Sequence, residues 1–129
     1  MVKFLVQNHT DIKINAMNND KRTPLAVAAG YAHIEIVKFL LENGANINSK
    51  DKGGRCPLHF ALYEGNQEAQ TLEVVKFLIE KGADVNSKDR DGRICINRAV
   101  YKGYRDTLKY FIEEIGVMWN LRANLKTLL

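Results

Sequence analysis

Hydrophobic and polar positions follow two patterns that predict a short helix and then a longer one. The short pattern reads Thr23-Pro24-Leu25 in its best-formed copy, with Ala28-Ala29 one turn later. Threonine is a favoured N-cap, and proline is tolerated next because the first helical N–H has no partner. Four apolar residues at steps of three and four then predict an amphipathic second helix: Ile34, Val37, Leu40 and Leu41. Gly44 follows as a helix stop signal.

Both patterns return, so the chain is a repeat array. Leu25 corresponds to Leu58 and then to Ile96, and residues 37–48 are nearly repeated as 75–86. We predict one domain with a half repeat at 1–16, repeats at 17–49, 50–87 and 88–120, and a closing cap or the start of a further repeat at 121–129.

The interval from Leu58 to Ile96 is longer than the one before it, because five extra residues fall within 66–72, between the two helices of that repeat. Since residues 67–70 are good helix formers, they predict an added turn on the second helix or a protruding loop. The half repeat lacks the helix that should precede it, and the terminal segment places leucines on one face. We therefore expect exposed apolar ends and weak self-association.

Composition and cysteine usage point to an ordinary folded domain. The chain has 129 residues, of which 46% are hydrophobic and 26% charged. Its apolar runs fall short of the ~20 residues of a membrane span, and its start does not resemble a signal peptide. Cys56 and Cys95 lie at corresponding places in successive repeats, one register step apart, and stacked helices are too far from each other for a disulfide. We read both as buried apolar residues in a reducing, intracellular compartment.

The polar residues do not predict an active site. His9, His33 and His59 are too scattered for a metal site, and Gly53-Gly54 is a turn signal and not a phosphate-binding loop. The sequence also offers no nucleophile beside a base. We therefore predict no catalysis, no metal and no cofactor.

The combined motifs, repeated at this spacing, resemble the ankyrin repeat over nearly the whole chain. The resemblance implies an all-α solenoid of antiparallel helix pairs, with β-turn fingers along one edge and a role in binding proteins. His59 matches the histidine at the start of the family's repeat, whereas Ala26 and Asn97 depart from it. Gly54 and Gly92 match the finger glycine. Lys21 takes that place in the second unit, so we expect its finger to bend differently, since positive φ is uncommon outside glycine.

The fingers carry the positive charge of the chain. They are residues 20–22, 50–55 and 88–93, with net charges of +1, +2 and +1 that account for the total of +4. By analogy with the family, tyrosines at the ends of the short helices face a concave groove beside them. Aromatic residues next to arginines are common at interface hot spots. The candidate partner-binding residues are Lys21, Arg22, Tyr31, Lys52, Arg55, Tyr63, Glu64, Arg90, Arg93, Tyr101 and Lys102.

The leading interpretation is a non-enzymatic adaptor that binds a protein partner with an acidic surface or segment. A nucleic-acid binder that uses the basic finger edge is a less favoured alternative, and a structural piece of a longer effector is a third. The 12 lysines, 12 asparagines and 10 isoleucines hint at an AT-rich genome, which leaves delivery into a host cell open. The resemblance also makes Asn48 and Asn86 candidates for hydroxylation, against a plain role in bonding the turn.

Overall fold

A computed structural model describes residues 13–115 of the chain. This part forms six α-helices in three pairs, and the last helix continues into a π-helical turn. The pairs are α1 (Pro24–Gly30) with α2 (Ile34–Glu42), α3 (Pro57–Glu64) with α4 (Glu68–Glu80), and α5 (Cys95–Lys102) with α6 (Arg105–Tyr110) and the turn Phe111–Ile115. The predicted half repeat lies almost entirely outside the described residues, and so do the segment 121–129 and its expected apolar face.

The helices stack in two layers, as the resemblance implies. The first helices of the pairs, α1, α3 and α5, pack in one row and are called the short helices below. The second helices, α2, α4 and α6 with its π-helical turn, pack in another row, and each pair joins the rows. A leucine, or an isoleucine in the third pair, fills the same core position in successive repeats. Leu25, Leu58 and Ile96 are at most 1% exposed. One helix pair cannot bury its apolar face alone, so the stack supplies the core.

The short helices begin with three different side-chain hydrogen bonds. In α1 the N-cap hydroxyl of Thr23 accepts from the Ala26 N–H at 3.2 Å. In α3 Nδ1 of His59 accepts from the Cys56 N–H at 3.2 Å, and in α5 Oδ1 of Asn97 accepts from the Ile94 N–H at 3.0 Å. Asparagine therefore replaces histidine with the same bond. A side chain covers an otherwise unpaired N–H at each helix start.

His59 also joins its repeat to the next one. Its Nε2 lies 3.1 Å from the carbonyl oxygen of Arg93, which can only accept, so Nε2 carries the proton and donates. The ring is fully buried. His59 thus fixes the start of α3 and the end of the third finger at once.

The extra residues of the longer repeat extend α4. This helix has 13 residues, whereas α2 has nine, so the added helical turn is present. Both helices end in the same way. Gly44 and Gly82 take φ of 92° and 102°, and the N–H groups of Ala45 and Ala83 bond back to Leu40 and Leu78. The predicted glycine stop is confirmed in both repeats.

Candidate functional site

Each finger is closed by one acidic or amide side chain. The Oδ1 atoms of Asn18, Asp51 and Asp89 each accept two backbone N–H groups, from residues two and four positions later, at 2.8–3.0 Å. Asp51 and Asp89 are 8% and 9% exposed. The two carboxylates therefore face their own turns, whereas Lys52, Arg90 and Arg93 beside them are exposed.

All three fingers bend the same way. Lys21 has φ of 62°, close to the 75° of Gly54 and the 76° of Gly92. The expectation that the Lys21 finger bends differently is therefore wrong. The turn bonds of Asn18 hold this backbone shape, and they offset the strain of a side chain at positive φ.

Neighbouring fingers are joined through their backbones. The N–H of Lys52 donates to the carbonyl of Asp20 at 3.0 Å, and the N–H of Arg90 donates to the carbonyl of Gly53 at 2.8 Å. These bonds set the spacing of the fingers, so side chains from successive fingers meet at two junctions.

The first finger junction contains Arg22, Asp51, Arg55 and Phe60. Nε of Arg22 and Nε of Arg55 lie 3.6 and 3.8 Å from Oδ2 of Asp51. Both guanidinium groups also lie over the Phe60 ring, at 5.1 and 5.6 Å from its centroid. Two cations thus share one carboxylate and one aromatic face, so the charge of this junction is partly neutralised within the chain.

The second finger junction contains Arg55, Tyr63, Asp89, Arg90 and Arg93. Here the Tyr63 hydroxyl donates to Oδ2 of Asp89 at 3.1 Å, the oxygen that corresponds to the shared one at the first junction. Among residues 13–115 the ion pairs are the two on Asp51. Arg90 and Arg93 therefore have no carboxylate partner in that part of the chain.

The pKa shifts of Tyr63 and Asp89 agree with this bonding. Burial, together with the neighbouring Asp89 carboxylate, raises the pKa of Tyr63 to about 12, so its hydroxyl remains a donor. Burial alone would raise the pKa of Asp89, but the N–H groups of Arg93 and Asp91 and the Tyr63 hydroxyl hold it below the usual value.

The predicted partner-binding residues differ in exposure. Tyr31 and Tyr101 are 72% and 78% exposed, whereas Tyr63 is half-buried. The exposed charged members are Lys21, Lys52, Glu64, Arg90 and Arg93, and the half-buried ones are Arg22, Arg55 and Lys102. The structure brings Arg55, Tyr63, Arg90 and Arg93 around one depression. Tyr31 lies at the end of α1 and is not part of this depression.

Lys102 has a structural role beside the inserted residues. Its ammonium donates to the carbonyl oxygens of Tyr63 and Gly65, and the Tyr104 hydroxyl donates to the same Gly65 oxygen at 3.0 Å. Glu68 accepts from both the N–H and the hydroxyl of Thr107. These bonds fix the start of α4 against α5 and α6, and the role of Lys102 in partner binding stays a prediction.

Three residues of the junctions were missed in the sequence. Asp51 and Asp89 stand where Asn18 stands in the first finger, one and two repeats later, and that register could have revealed them. Arg98 occupies the place that Phe60 has in the preceding repeat, and its guanidinium lies between the rings of Tyr63 and Tyr101, at 5.4 and 4.8 Å. A cation thus stands at the second junction where the first has a phenylalanine.

Asn48 bonds to the next repeat. Its amide nitrogen donates to the Gly82 carbonyl at 3.4 Å, and its oxygen accepts from the Asp84 N–H at 3.1 Å. Asn15 makes the equivalent pair of bonds to Gly44 and Asn46. The asparagine at this place thus clamps neighbouring repeats, and hydroxylation of Asn48 or Asn86 stays a prediction.

Between residues 13 and 115, no three histidine, cysteine or acidic side chains come together in a way that could hold a metal ion. Across the described helices, none is long and apolar enough to cross a membrane. Cys56 and Cys95 are buried free thiols.

Comparison with known proteins identifies the architecture. A family model described as ankyrin repeats (3 copies) matches residues 1–89, and a second, described as ankyrin repeats (many copies), matches residues 68–112. The chain belongs to the ankyrin repeat family. The two stacked rows of helices are accordingly an all-α ankyrin solenoid, as predicted.

Individual relatives match over short segments. Alpha-latrocrustotoxin-Lt1a of Latrodectus tredecimguttatus is 39% identical over 47% of this chain and 4% of its own length. Rabankyrin-5 of Homo sapiens is 49% identical over 33% of this chain and 4% of its own length. Arf-GAP with coiled-coil, ANK repeat and PH domain-containing protein 2 of Gallus gallus is 44% identical over 39% of this chain and 6% of its own length. The chain thus spans a small part of these relatives, which share the repeat with it. Ankyrin repeats generally mediate protein–protein interaction.

Proposed function

We propose that this chain is a non-enzymatic adaptor module that binds an acidic segment of a protein partner. The segment lies along the fingers and the adjacent ends of the short helices. The role of ankyrin repeats in protein binding supports the class of function, and the charges on the fingers support the class of partner.

One observation carries the proposal: the second and third fingers each turn one aspartate inward and expose lysine or arginine side chains. Asp51 and Asp89 are turned inward and bonded to backbone N–H groups, whereas Lys52, Arg90 and Arg93 are exposed. The surface that a partner meets is therefore more basic than the residue count suggests. Such a surface speeds the approach of an acidic segment and selects against basic ones.

Aromatic side chains supply the second part of the contact. Tyr31 and Tyr101 are largely exposed, and Tyr101 stacks on the Arg98 guanidinium. Tyrosine buries a large apolar area while its hydroxyl stays able to bond. Rim charges would guide the partner, and these rings would anchor it.

The test is selection from a random peptide library displayed on phage, followed by binding measurements at physiological ionic strength. Selected peptides should be acidic, and Arg90→Glu with Arg93→Glu should slow their association at least tenfold. Lys76→Glu with Lys109→Glu is the matched control, because it changes the net charge equally on exposed residues of α4 and α6. Neutral peptides that bind both double variants equally would contradict the proposal.

The nucleic-acid alternative gives a different result in the same assay format. Binding of a random single-stranded oligonucleotide should fall steeply with salt if phosphates are the main contact. We expect weaker binding to this oligonucleotide than to the selected acidic peptides. Tighter binding to the oligonucleotide than to the peptides at physiological salt would contradict the proposal and favour nucleic acid as the partner.

A further inference from the structure

A depression of about 310 Å³ lies at the second finger junction, between the second and third fingers. We call it the finger notch. Its lining includes three arginines, Arg55, Arg90 and Arg93, and is completed by Gly53, Tyr63, Asp89 and Asp91. Three arginines therefore line one small depression.

The cations of the finger notch are poorly neutralised from within the described chain. Arg90 and Arg93 have no ion pair there, and the nearest carboxylate to Nε of Arg55 is Asp51, at 3.8 Å. Asp89 does not pair with them, because its Oδ1 accepts two backbone N–H groups and its Oδ2 accepts from Tyr63. Asp91 is exposed at the rim and is the one carboxylate of the notch left without such bonds in the described chain.

Arg55 is held in place before any ligand arrives. Its guanidinium lies between the rings of Phe60 and Tyr63, 5.6 and 5.8 Å from their centroids. A Cβ atom on Gly53 would come within 3.2 Å of Nε of Arg55, so the glycine makes room for the guanidinium. A fixed cation loses less entropy on binding than a free one, which favours a preorganised anion site.

We propose that the finger notch binds the phosphoryl group of a phosphorylated side chain on the protein partner. This inference rests on the proposed function and specifies the chemistry of the acidic segment. A phosphoryl group carries about two negative charges and three acceptor oxygens near neutral pH. A guanidinium group binds two such oxygens at once. Three arginines can therefore make more hydrogen bonds than the two oxygens of one carboxylate accept, which favours the three oxygens of a phosphoryl group.

The first test uses inorganic phosphate and amide NMR at constant ionic strength, with chloride as the balancing anion. Saturable shifts should appear at Gly53 and at residues 90–93, and not at residues 18–22. Arg93→Gln should weaken phosphate binding at least fivefold. Arg22→Gln is the matched control, because Arg22 ends the first finger as Arg93 ends the third, and it should change phosphate affinity less than twofold. Equal shifts at both junctions, or unchanged affinity in Arg93→Gln, would overturn the proposal.

The second test uses one library-selected peptide in three forms, with phosphoserine, glutamate or serine at its central acidic position. The phosphoserine form should bind at least tenfold more tightly than the glutamate form, and Arg93→Gln should remove most of that difference. Equal affinity of the phosphoserine and glutamate forms would refute the phosphoryl site and leave the acidic-segment proposal standing. Failure of all three peptide forms to bind the wild-type protein would refute both the phosphoryl site and the acidic-segment proposal. Phosphate shifts that a single-stranded oligonucleotide reproduces with tighter affinity would assign the notch to nucleic acid instead.

Discussion

The two finger junctions have the same backbone bond between fingers and differ in how their arginines are paired. At the first, Arg22 and Arg55 share Oδ2 of Asp51 and lie on Phe60. At the second, the Tyr63 hydroxyl takes the corresponding oxygen of Asp89, and Arg93 has no carboxylate partner in the described chain. The first junction binds its own charges, and the second leaves them available to a ligand.

Two sequence differences produce this contrast. Tyr63 occupies the place that Gly30 has one repeat earlier, and Arg98 occupies the place of Phe60. The tyrosine supplies a donor that competes for the carboxylate, and the arginine adds a cation where the first junction has an aromatic ring. In a repeat protein, function can therefore arise where one repeat departs from the pattern that the others share.

The largest expected effect on stability concerns the glycine of the second finger, which packs against the third finger at the second junction. Gly54 and Gly92 both have positive φ, but a Cβ atom on Gly54 would lie 2.9 Å from the Arg90 nitrogen, whereas one on Gly92 meets nothing within 4 Å among residues 13–115. Gly54→Ala should lower the free energy of unfolding by about 3 kcal/mol, from backbone strain and the damaged bond between fingers. Gly92→Ala should cost about 1 kcal/mol from strain alone. Urea denaturation gives both values, and equal costs would contradict the tight contact.

Removal of the finger carboxylates should have the next largest effect. Asp51→Ala and Asp89→Ala each leave two turn N–H groups without their acceptor, so each should cost about 2 kcal/mol of unfolding free energy. Asp51→Asn and Asp89→Asn should cost less than half as much, because Asn18 makes the same bonds in the first finger. Thermal and urea denaturation measure the four variants. Asparagine variants as unstable as the alanine ones would show that the charge, and not the acceptor, holds the turn.

Substitution of the arginines should change the free energy of unfolding by a smaller amount, and by different amounts at the two junctions. Arg22→Gln removes an ion pair with Asp51 and a contact over Phe60, and it should cost about 1 kcal/mol of unfolding free energy. Arg93→Gln removes neither kind of contact within the described chain and should stay within about 0.5 kcal/mol of the wild type. A larger loss in Arg93→Gln would mean that Arg93 has an internal partner, and the second junction would then resemble the first.

Acid should weaken the second junction in a predictable direction. Because the folded state holds the pKa of Asp89 below its usual value, its ionised form stabilises the fold above the unfolded pKa of about 3.9. That stabilisation is lost as the pH falls through the lower folded pKa. The advantage of wild type over Asp89→Asn should therefore shrink below about pH 4. Denaturation curves of both proteins across this range measure the change, and a constant difference would contradict the depressed pKa.

Sequence patterns predicted the fold more fully than the site. Helix starts such as Thr23-Pro24, glycine stops and the repeat period depend on local backbone chemistry, and local patterns reveal them. The partner of a side chain depends on competition among neighbours in space. Asp51 and Asp89 look alike in sequence, but Oδ2 of Asp89 accepts from the Tyr63 hydroxyl, and Arg90 and Arg93 have no ion pair among residues 13–115. The bend at Lys21 was missed for a similar reason, since the bonds of Asn18 outweigh the preference of the lysine backbone.

The central claim is that the Tyr63 hydroxyl keeps Asp89 away from the arginines of the finger notch. Tyr63→Phe removes that hydroxyl and keeps the ring, so Oδ2 of Asp89 becomes available to Arg93, as Oδ2 of Asp51 is to Arg55. The direct measurement is the Kd of inorganic phosphate for Tyr63→Phe and wild type by NMR at constant ionic strength, with the fold checked in the same spectra. The account predicts a Kd at least threefold higher in the folded variant. An unchanged or lower Kd in a folded variant would contradict it.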